Sequence, residues 1–261
     1  MTFQPFVAVG GLGGWRFLQS TLATQKAAFE KGGLVTREIE YFREKIGEVK
    51  TAEDLVSDYR LLKVALGAFG LSEDINSKYL IRRVLEEGTI ETDALANKLS
   101  DKRYRDLSKA FGFGDFAVPN TVMSDFADRI ERQYLDRSFE VALGETDESM
   151  RLALNAKREL ATLAEGSGSN RTKWFTLLGT PPLRTVIEGA LGLPKVFAAL
   201  PIDKQYDTLL SRAESTFGTS EISRLGKPDL VARIVDLYTA RVGAATSSQA
   251  SSPALQILRG F

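Results

Sequence analysis

Apolar residues recur along this chain at intervals of three and four, the spacing that lines one face of an α-helix. Trp15, Leu18, Leu22 and Phe29 begin the pattern, which Lys31-Gly32-Gly33 stops. Val35, Ile39, Phe42 and Ile46 continue it to Gly47. Thr51 before Ala-Glu-Asp reads as an N-cap with acids in the first turn. The helix it opens carries Leu55, Tyr59, Leu62, Leu66 and Phe69 and stops at Gly70. Further helices are predicted from Ser72 to Glu87, from a Thr92 cap through Leu95 and Leu99, and from Asp101 through Tyr104, Leu107 and Phe111.

Gly112-Phe113-Gly114-Asp115 and Pro119 mark a central break. Asn120 then reads as the cap of a long helix through Phe126, Ile130, Tyr134, Leu135 and Val141. Acidic residues from Glu145 to Glu148 open a helix through Met150, Leu154, Leu160 and Leu163, and Gly166 to Asn170 reads as a flexible connector. Shorter helices follow around Trp174, after Pro181-Pro182, after Pro201, and from Pro228 to Val242. No run alternates at period two, so no strand is predicted. The expected class is all-α and multihelical, with about a dozen helices by the helix-period rule. The expected organisation is a flexible arm over residues 1–14 and a helical body over 15–242. A low-complexity linker and apolar tip follow over 243–261.

Two segments of the body echo each other. Leu61, Val64, Gly67, Ala68, Gly70 and Leu71 have identical counterparts in Leu183, Val186, Gly189, Ala190, Gly192 and Leu193. Asp101, Lys102, Tyr104 and Leu107 likewise match Asp203, Lys204, Tyr206 and Leu209. One explanation is a duplication, giving related halves over 15–115 and 120–242 packed into one body. The other is that helix ends converge on this pattern because glycine closes a helix and leucine covers the closure.

Composition then narrows the chemistry. Lysine plus arginine number 34, as do aspartate plus glutamate, so the formal net charge is zero and there is no global pull toward nucleic acid. Cysteine and histidine are both absent. Disulfides, thiolate nucleophiles, zinc–thiolate sites and the Ser-His-Asp triad are therefore excluded, and the commonest general base is missing. No apolar run approaches the ~20 residues of a membrane span. The N-terminus lacks the basic region of a cleavable signal peptide, so a cytoplasmic protein is expected.

No motif supplies catalysis. Gly10-Gly11-Leu12-Gly13-Gly14 precedes a helix, but Trp15-Arg16 replaces the Lys-Ser/Thr pair of a phosphate loop and no strand comes before it. It reads as part of the arm. Glu145, Asp147 and Glu148 lack calcium-loop spacing and read as helix-start acids. Arg82-Arg83 and Glu86-Glu87 stand at i, i+4 and read as an ion-paired solvent face. No catalytic residue, cofactor-binding residue or metal ligand is assigned. The candidate docking residues are apolar side chains in the two arms: Phe3, Phe6 and Val7 at one end, Leu255, Ile257, Leu258 and Phe261 at the other. They either pack on the body or dock on a partner.

The run from Phe6 through Gly10-Gly-Leu-Gly-Gly-Trp-Arg16, Phe42-Arg-Glu-Lys-Ile46, Thr51-Ala-Glu-Asp-Leu-Val56 and 61–71 resembles a known family. Val84-Leu-Glu-Glu-Gly88, Ala94-Leu-Ala-Asn-Lys-Leu99 and Lys109-Ala-Phe-Gly-Phe113 continue the likeness. The family comprises alphaproteobacterial proteins that carry a domain of unknown function and are encoded in or near flagellar gene clusters. The resemblance implies a multihelical fold, sometimes with the domain repeated, and a link to flagella that rests on gene neighbourhood. It implies no catalytic or binding residues.

The expected function is non-enzymatic: a protein-interaction or structural protein of flagellar assembly or motility, with a protein partner that is a flagellar component. The alternative is a helical small-molecule binder or enzyme using carboxylate, lysine or tyrosine groups.

Overall fold

The structure is a computed structural model, and it describes residues 3–250. Among these residues there are fourteen α-helices and no strand, so the all-α reading holds. In chain order the helices are α1 (Gly11–Glu30), α2 (Gly33–Lys45), α3 (Ala52–Ser57), α4 (Tyr59–Phe69), α5 (Lys78–Glu87), α6 (Leu95–Lys98) and α7 (Arg103–Phe111). There follow α8 (Phe126–Gly144), α9 (Glu148–Glu165), α10 (Asn170–Leu178), α11 (Pro181–Leu191), α12 (Ile202–Phe217), α13 (Ile222–Leu225) and α14 (Pro228–Ala250). No helix among the described residues is long and apolar enough to cross a membrane.

The chain divides into two compact units. Of the described residues, the first holds 3–5 and 24–142, and the second holds 6–23 and 143–250. The division therefore falls within α1 and α8 rather than at the Gly112–Pro119 break that suggested halves over 15–115 and 120–242. The reason is that most of α8 completes the first core. Phe126 stands edge-on to Phe111 at 5.1 Å, and Phe139 edge-on to Phe29 at 5.7 Å.

The first unit is built around α4. Its residues from Leu61 to Phe69 are all buried except Lys63, so the helix is enclosed on nearly every side. Helices α2, α3 and α7 pack on it, and α5 bridges α3 and α7. The sequence suggests one helix from Leu55 to Phe69, but the chain breaks at Asp58, which is extended. One oxygen of its carboxylate accepts from the N–H groups of Arg60 (2.8 Å) and Leu61 (3.1 Å), and the other accepts from the Tyr41 hydroxyl (2.6 Å). That side chain thus satisfies the first turn of α4 and stops α3. Burial works against the Asp58 anion, but these hydrogen bonds outweigh it and hold the carboxyl below its usual range. Thr51 caps α3 in a reciprocal capping box with Asp54.

In the second unit α9, α11 and α14 pack against one another, with α13 on α9 and α10 on α11. Asp147 caps α9, accepting from the N–H groups of Ser149 and Met150, and Ser169 caps α10. Asn170 ties α10 to the approach of α13: its amide donates to the Ser220 carbonyl (3.1 Å) and its oxygen accepts from Ile222 N–H (2.9 Å). The buried Trp174 indole donates to the same Ser220 carbonyl at 2.8 Å.

The echoing segments have the same local structure. Gly70 and Gly192 both close their helices in the left-handed conformation, with φ of 72° and 64°. Leu71 N–H donates to Leu66 O at 2.8 Å, and Leu193 N–H to Glu188 O at 2.9 Å, the six-to-one bond of a Schellman closure. Each segment also meets a Tyr-x-x-Arg pair. A Cβ at Gly67 would lie 2.7 Å from the Tyr134 ring, and one at Gly189 would lie 2.7 Å from Tyr238. The Arg137 guanidinium approaches Gly70 as that of Arg241 approaches Gly192, and Arg241 donates to Ala190 O at 2.8 Å. Glycine closure alone accounts for the ends of the helices but not for the shared Tyr-x-x-Arg partners. The second echo does not carry over in this way: Tyr104 is buried near Asp74, whereas Tyr206 is half-buried and stacks on Phe175.

Several predicted boundaries shift. Gly11–Gly14 form the first turn of α1 instead of the end of an arm. Gly14 is buried so tightly that a Cβ would lie 1.8 Å from the Val9 carbonyl oxygen. Likewise α14 runs on through Ala250, so residues 243–250 are helix and not linker. Gly243 faces Gly11 backbone to backbone, a Cβ on either lying 2.9 Å from the other's Cα. The contact makes this part of the supposed linker a packed surface. Thr92 does not cap α6, because Glu87 reaches across to accept from Leu95 N–H at 2.7 Å. Asn120 does not cap α8 but donates back to Ala110 O at 3.0 Å, helping to close α7.

Candidate functional site

The residues from 112 to 125 join α7 to α8 without a long helix of their own, yet they are held at several points. Asp115 grips the turn after α5. One oxygen accepts from the N–H groups of Thr89 (2.6 Å) and Ile90 (3.1 Å), and the other from the Thr89 hydroxyl (2.8 Å). Gly88 and Gly114 allow this approach. A Cβ on Gly114 would lie 2.4 Å from Gly88 N, and Gly88 has φ of 71°, where only glycine is unstrained. Further along, the buried Thr121 hydroxyl donates to Val49 O at 2.7 Å.

On this fixed frame the segment turns apolar side chains outward. Ile90, Phe116, Val118, Val122 and Met123 are between 50% and 65% exposed. Three of them share one cleft, unlike the singly scattered apolar residues normal for any surface. Ile90, Phe116 and Met123 line an open cleft of about 400 Å³ with Thr89, Lys109, Asp115, Asn120 and Arg129. A second depression of about 340 Å³ shares Thr89 and Ile90 and extends to Thr92, Asn97 and Arg105.

The charged groups of this site are mixed: Lys109, Arg129 and Asp115 line the cleft and Arg105 the second depression. Arg105 and Lys109 stand one turn apart on α7 and form no ion pair among the described residues. Arg129 pairs with Asp125 at 3.1 Å and lies against the Phe126 ring. The carboxylate lining the cleft, Asp115, already accepts three hydrogen bonds, so its oxygens are committed to holding the loop rather than to proton transfer. The arrangement suits recognition of an apolar surface that carries negative charge.

The predicted docking residues lie elsewhere. Phe6 is 56% exposed, with its ring edge-on to Phe17 at 6.1 Å. Val7 is half-buried against Gly14, and Phe3 is half-buried. Leu255, Ile257, Leu258 and Phe261 lie outside the described residues. Among the described residues no group of acidic side chains is arranged to hold a metal ion. The Arg82–Glu86 and Arg83–Glu87 pairs form the expected ionic face, with Arg82 also 2.8 Å from Glu53.

Residues 112–119 read in the sequence as a break between helices, which gives Phe116, Val118, Val122 and Met123 no assigned role. A signal was present. These are large apolar residues in a Gly/Pro-bounded segment with no helical spacing to bury them.

Comparison with known proteins agrees with this architecture. The crystal structure of protein AGR_C_984 from Agrobacterium tumefaciens is similar, with a TM-score of 0.68 and 26% sequence identity, over 90% of this chain and 97% of that one. Among curated proteins none matches. The family model for a protein of unknown function (DUF1217) matches residues 68–231, a span from the middle of α4 into α14 that includes the whole 112–125 segment. The chain belongs to this DUF1217 family.

Proposed function

We propose that the protein is a non-enzymatic interaction protein of flagellar assembly or motility, and that it binds a protein partner through the surface around residues 112–125. The observation that carries the binding role is the cleft shared by the exposed Ile90, Phe116 and Met123, on a frame that Asp115 and Thr121 fix. A loop pinned at this many points yet apolar on its outer side is suited to recognition. The absence of histidine and cysteine, with Asp115 committed to structural hydrogen bonds, favours binding over chemistry. The flagellar assignment rests on the family resemblance of the first half of the chain.

The test is genetic. Deletion of the gene is expected to impair swimming or filament formation, and Phe116→Ser with Met123→Ser at the chromosomal locus is expected to reproduce the defect at normal protein levels. A deletion strain with full motility and normal flagella overturns the flagellar role. A deletion defect that the double substitution does not reproduce overturns the choice of surface.

A further inference from the structure

We infer that the occupant of this surface is an acidic amphipathic segment of a partner protein, a helix with an apolar stripe flanked by carboxylates. The inference rests on the proposed docking surface and adds the chemistry of what docks there. Two features carry it. First, the exposed apolar residues Ile90, Phe116 and Met123 line the same cleft, so an occupant has to bring apolar side chains of its own. Second, two cations stand at the polar edge, Lys109 on the cleft and Arg105 on the adjoining depression. Lys109 and Arg105 present their charges from one face of α7 with no ionic partner among the described residues.

Of the neighbouring acids, Asp106 follows Arg105 on α7 and is exposed, so the local excess of positive charge is small. Arg129 is matched by Asp125, and the three hydrogen bonds to Asp115 leave it turned toward Thr89 and Ile90. A carboxylate brought to Lys109 would find a cation to pair with, whereas a lysine brought there would meet a like charge at the edge of an apolar surface. The open form of the cleft also favours a segment laid across it over a small molecule enclosed within it. This chain is neutral overall, so any selectivity for an acidic partner has to be local to this edge.

The experiment uses the full chain and two fluorescein-labelled helical peptides with the same leucine stripe, one with glutamate and one with lysine at the flanking positions. Fluorescence anisotropy at low salt is expected to show the glutamate peptide binding at least ~10-fold tighter than the lysine peptide. Arg105→Glu with Lys109→Glu is expected to abolish or invert that preference, and Phe116→Ser to weaken the glutamate peptide by ~10-fold. All three substitutions are at exposed positions, and unchanged thermal unfolding confirms that each variant folds. Equal binding of both peptides, binding of neither, or a preference that survives the Arg105/Lys109 reversal overturns the inference. Self-association of the chain that Phe116→Ser abolishes also overturns it, in favour of a second copy as occupant. The two readings separate cleanly. A motility defect in the Phe116/Met123 strain together with equal peptide binding removes only the acidic partner, whereas normal motility in that strain beside a defect on deletion removes the docking surface itself.

Discussion

Gly67 and Tyr134 meet so closely that the glycine could not carry a side chain: a Cβ would lie 2.7 Å from the tyrosine ring. The ring cannot withdraw easily, because its residue is buried and its hydroxyl donates to Glu38. Gly67→Ala is therefore expected to destabilise the protein by about 2 kcal/mol through overpacking, although alanine in a helix is otherwise better than glycine by about 1 kcal/mol. Gly189→Ala against Tyr238 is expected to behave in the same way. Urea unfolding measures both effects. In a Tyr134→Leu background the cost of Gly67→Ala is expected to shrink, since the smaller side chain makes room, and strict additivity would disprove the clash.

Asp115→Ala removes the acceptor of three hydrogen bonds and leaves the N–H groups of Thr89 and Ile90 without it. A loss of about 2 kcal/mol is expected. It should be concentrated locally, as faster hydrogen exchange at Thr89, Ile90 and residues 113–123 than in α11 or α14. Exchange unchanged across that segment would mean the loop is held by something other than Asp115.

Asn170→Ala tests the tie between α10 and α13. Ile222 N–H loses its acceptor and Ser220 O loses one of two donors. A cost of about 1–3 kcal/mol is expected in thermal or urea unfolding. Asn170→Asp keeps the acceptor for Ile222 and is expected to cost less.

Stability should fall at both ends of the pH scale, for different reasons. Burial, with Glu148 and Asp147 nearby, pushes the Tyr238 hydroxyl up to about 12. Burial, with Asp74 beside it, does the same for Tyr104. The unfolded chain releases these protons near pH ~10 while the folded chain retains them, so stability is intact below that point and is lost as pH rises toward 12. Tyr238→Phe is expected to flatten part of that alkaline decline in urea titrations at several pH values. At the acid end, hydrogen bonding by the Thr51 side chain and the N–H groups of Lys50 and Thr51 holds Asp54 below the usual carboxylate range. Its contribution is present above that range and is expected to fade as pH falls from about 5. Thr51→Ala should weaken the acid dependence.

Local signals were read well from the sequence. Thr51, Asp147, Gly70 and Gly192 act at helix ends as their side chains, or lack of one, dictate, because capping depends on residues a few positions away. What failed depended on distant partners. Asn120 turns back to α7, and Gly11 packs on Gly243, whereas the break at Asp58 is a local cap of α4 hidden by continuous apolar spacing. The Tyr-x-x-Arg counterparts were also missed, although Ile130, Tyr134 and Arg137 share their spacing with Ile234, Tyr238 and Arg241. Three residues spread over two helical turns do not form a contiguous match, unlike the pairs in 61–71 and 183–193. For the docking surface, the residue types were legible but their exposure was not. Exposure follows from where Asp115 and Thr121 anchor the loop, and those anchors lie on α5's exit and on the turn before α3.

The anchoring of residues 112–125 has a kinetic consequence. Thr89, Ile90 and Val49 settle the shape of this segment while the chain folds, so its ordering entropy is lost before any partner arrives. Encounter would then be governed by orientation and by the charges of Arg105 and Lys109 rather than by a slow rearrangement of the loop. Such an association speeds up as ionic strength falls, and its rate shows no saturation with partner concentration.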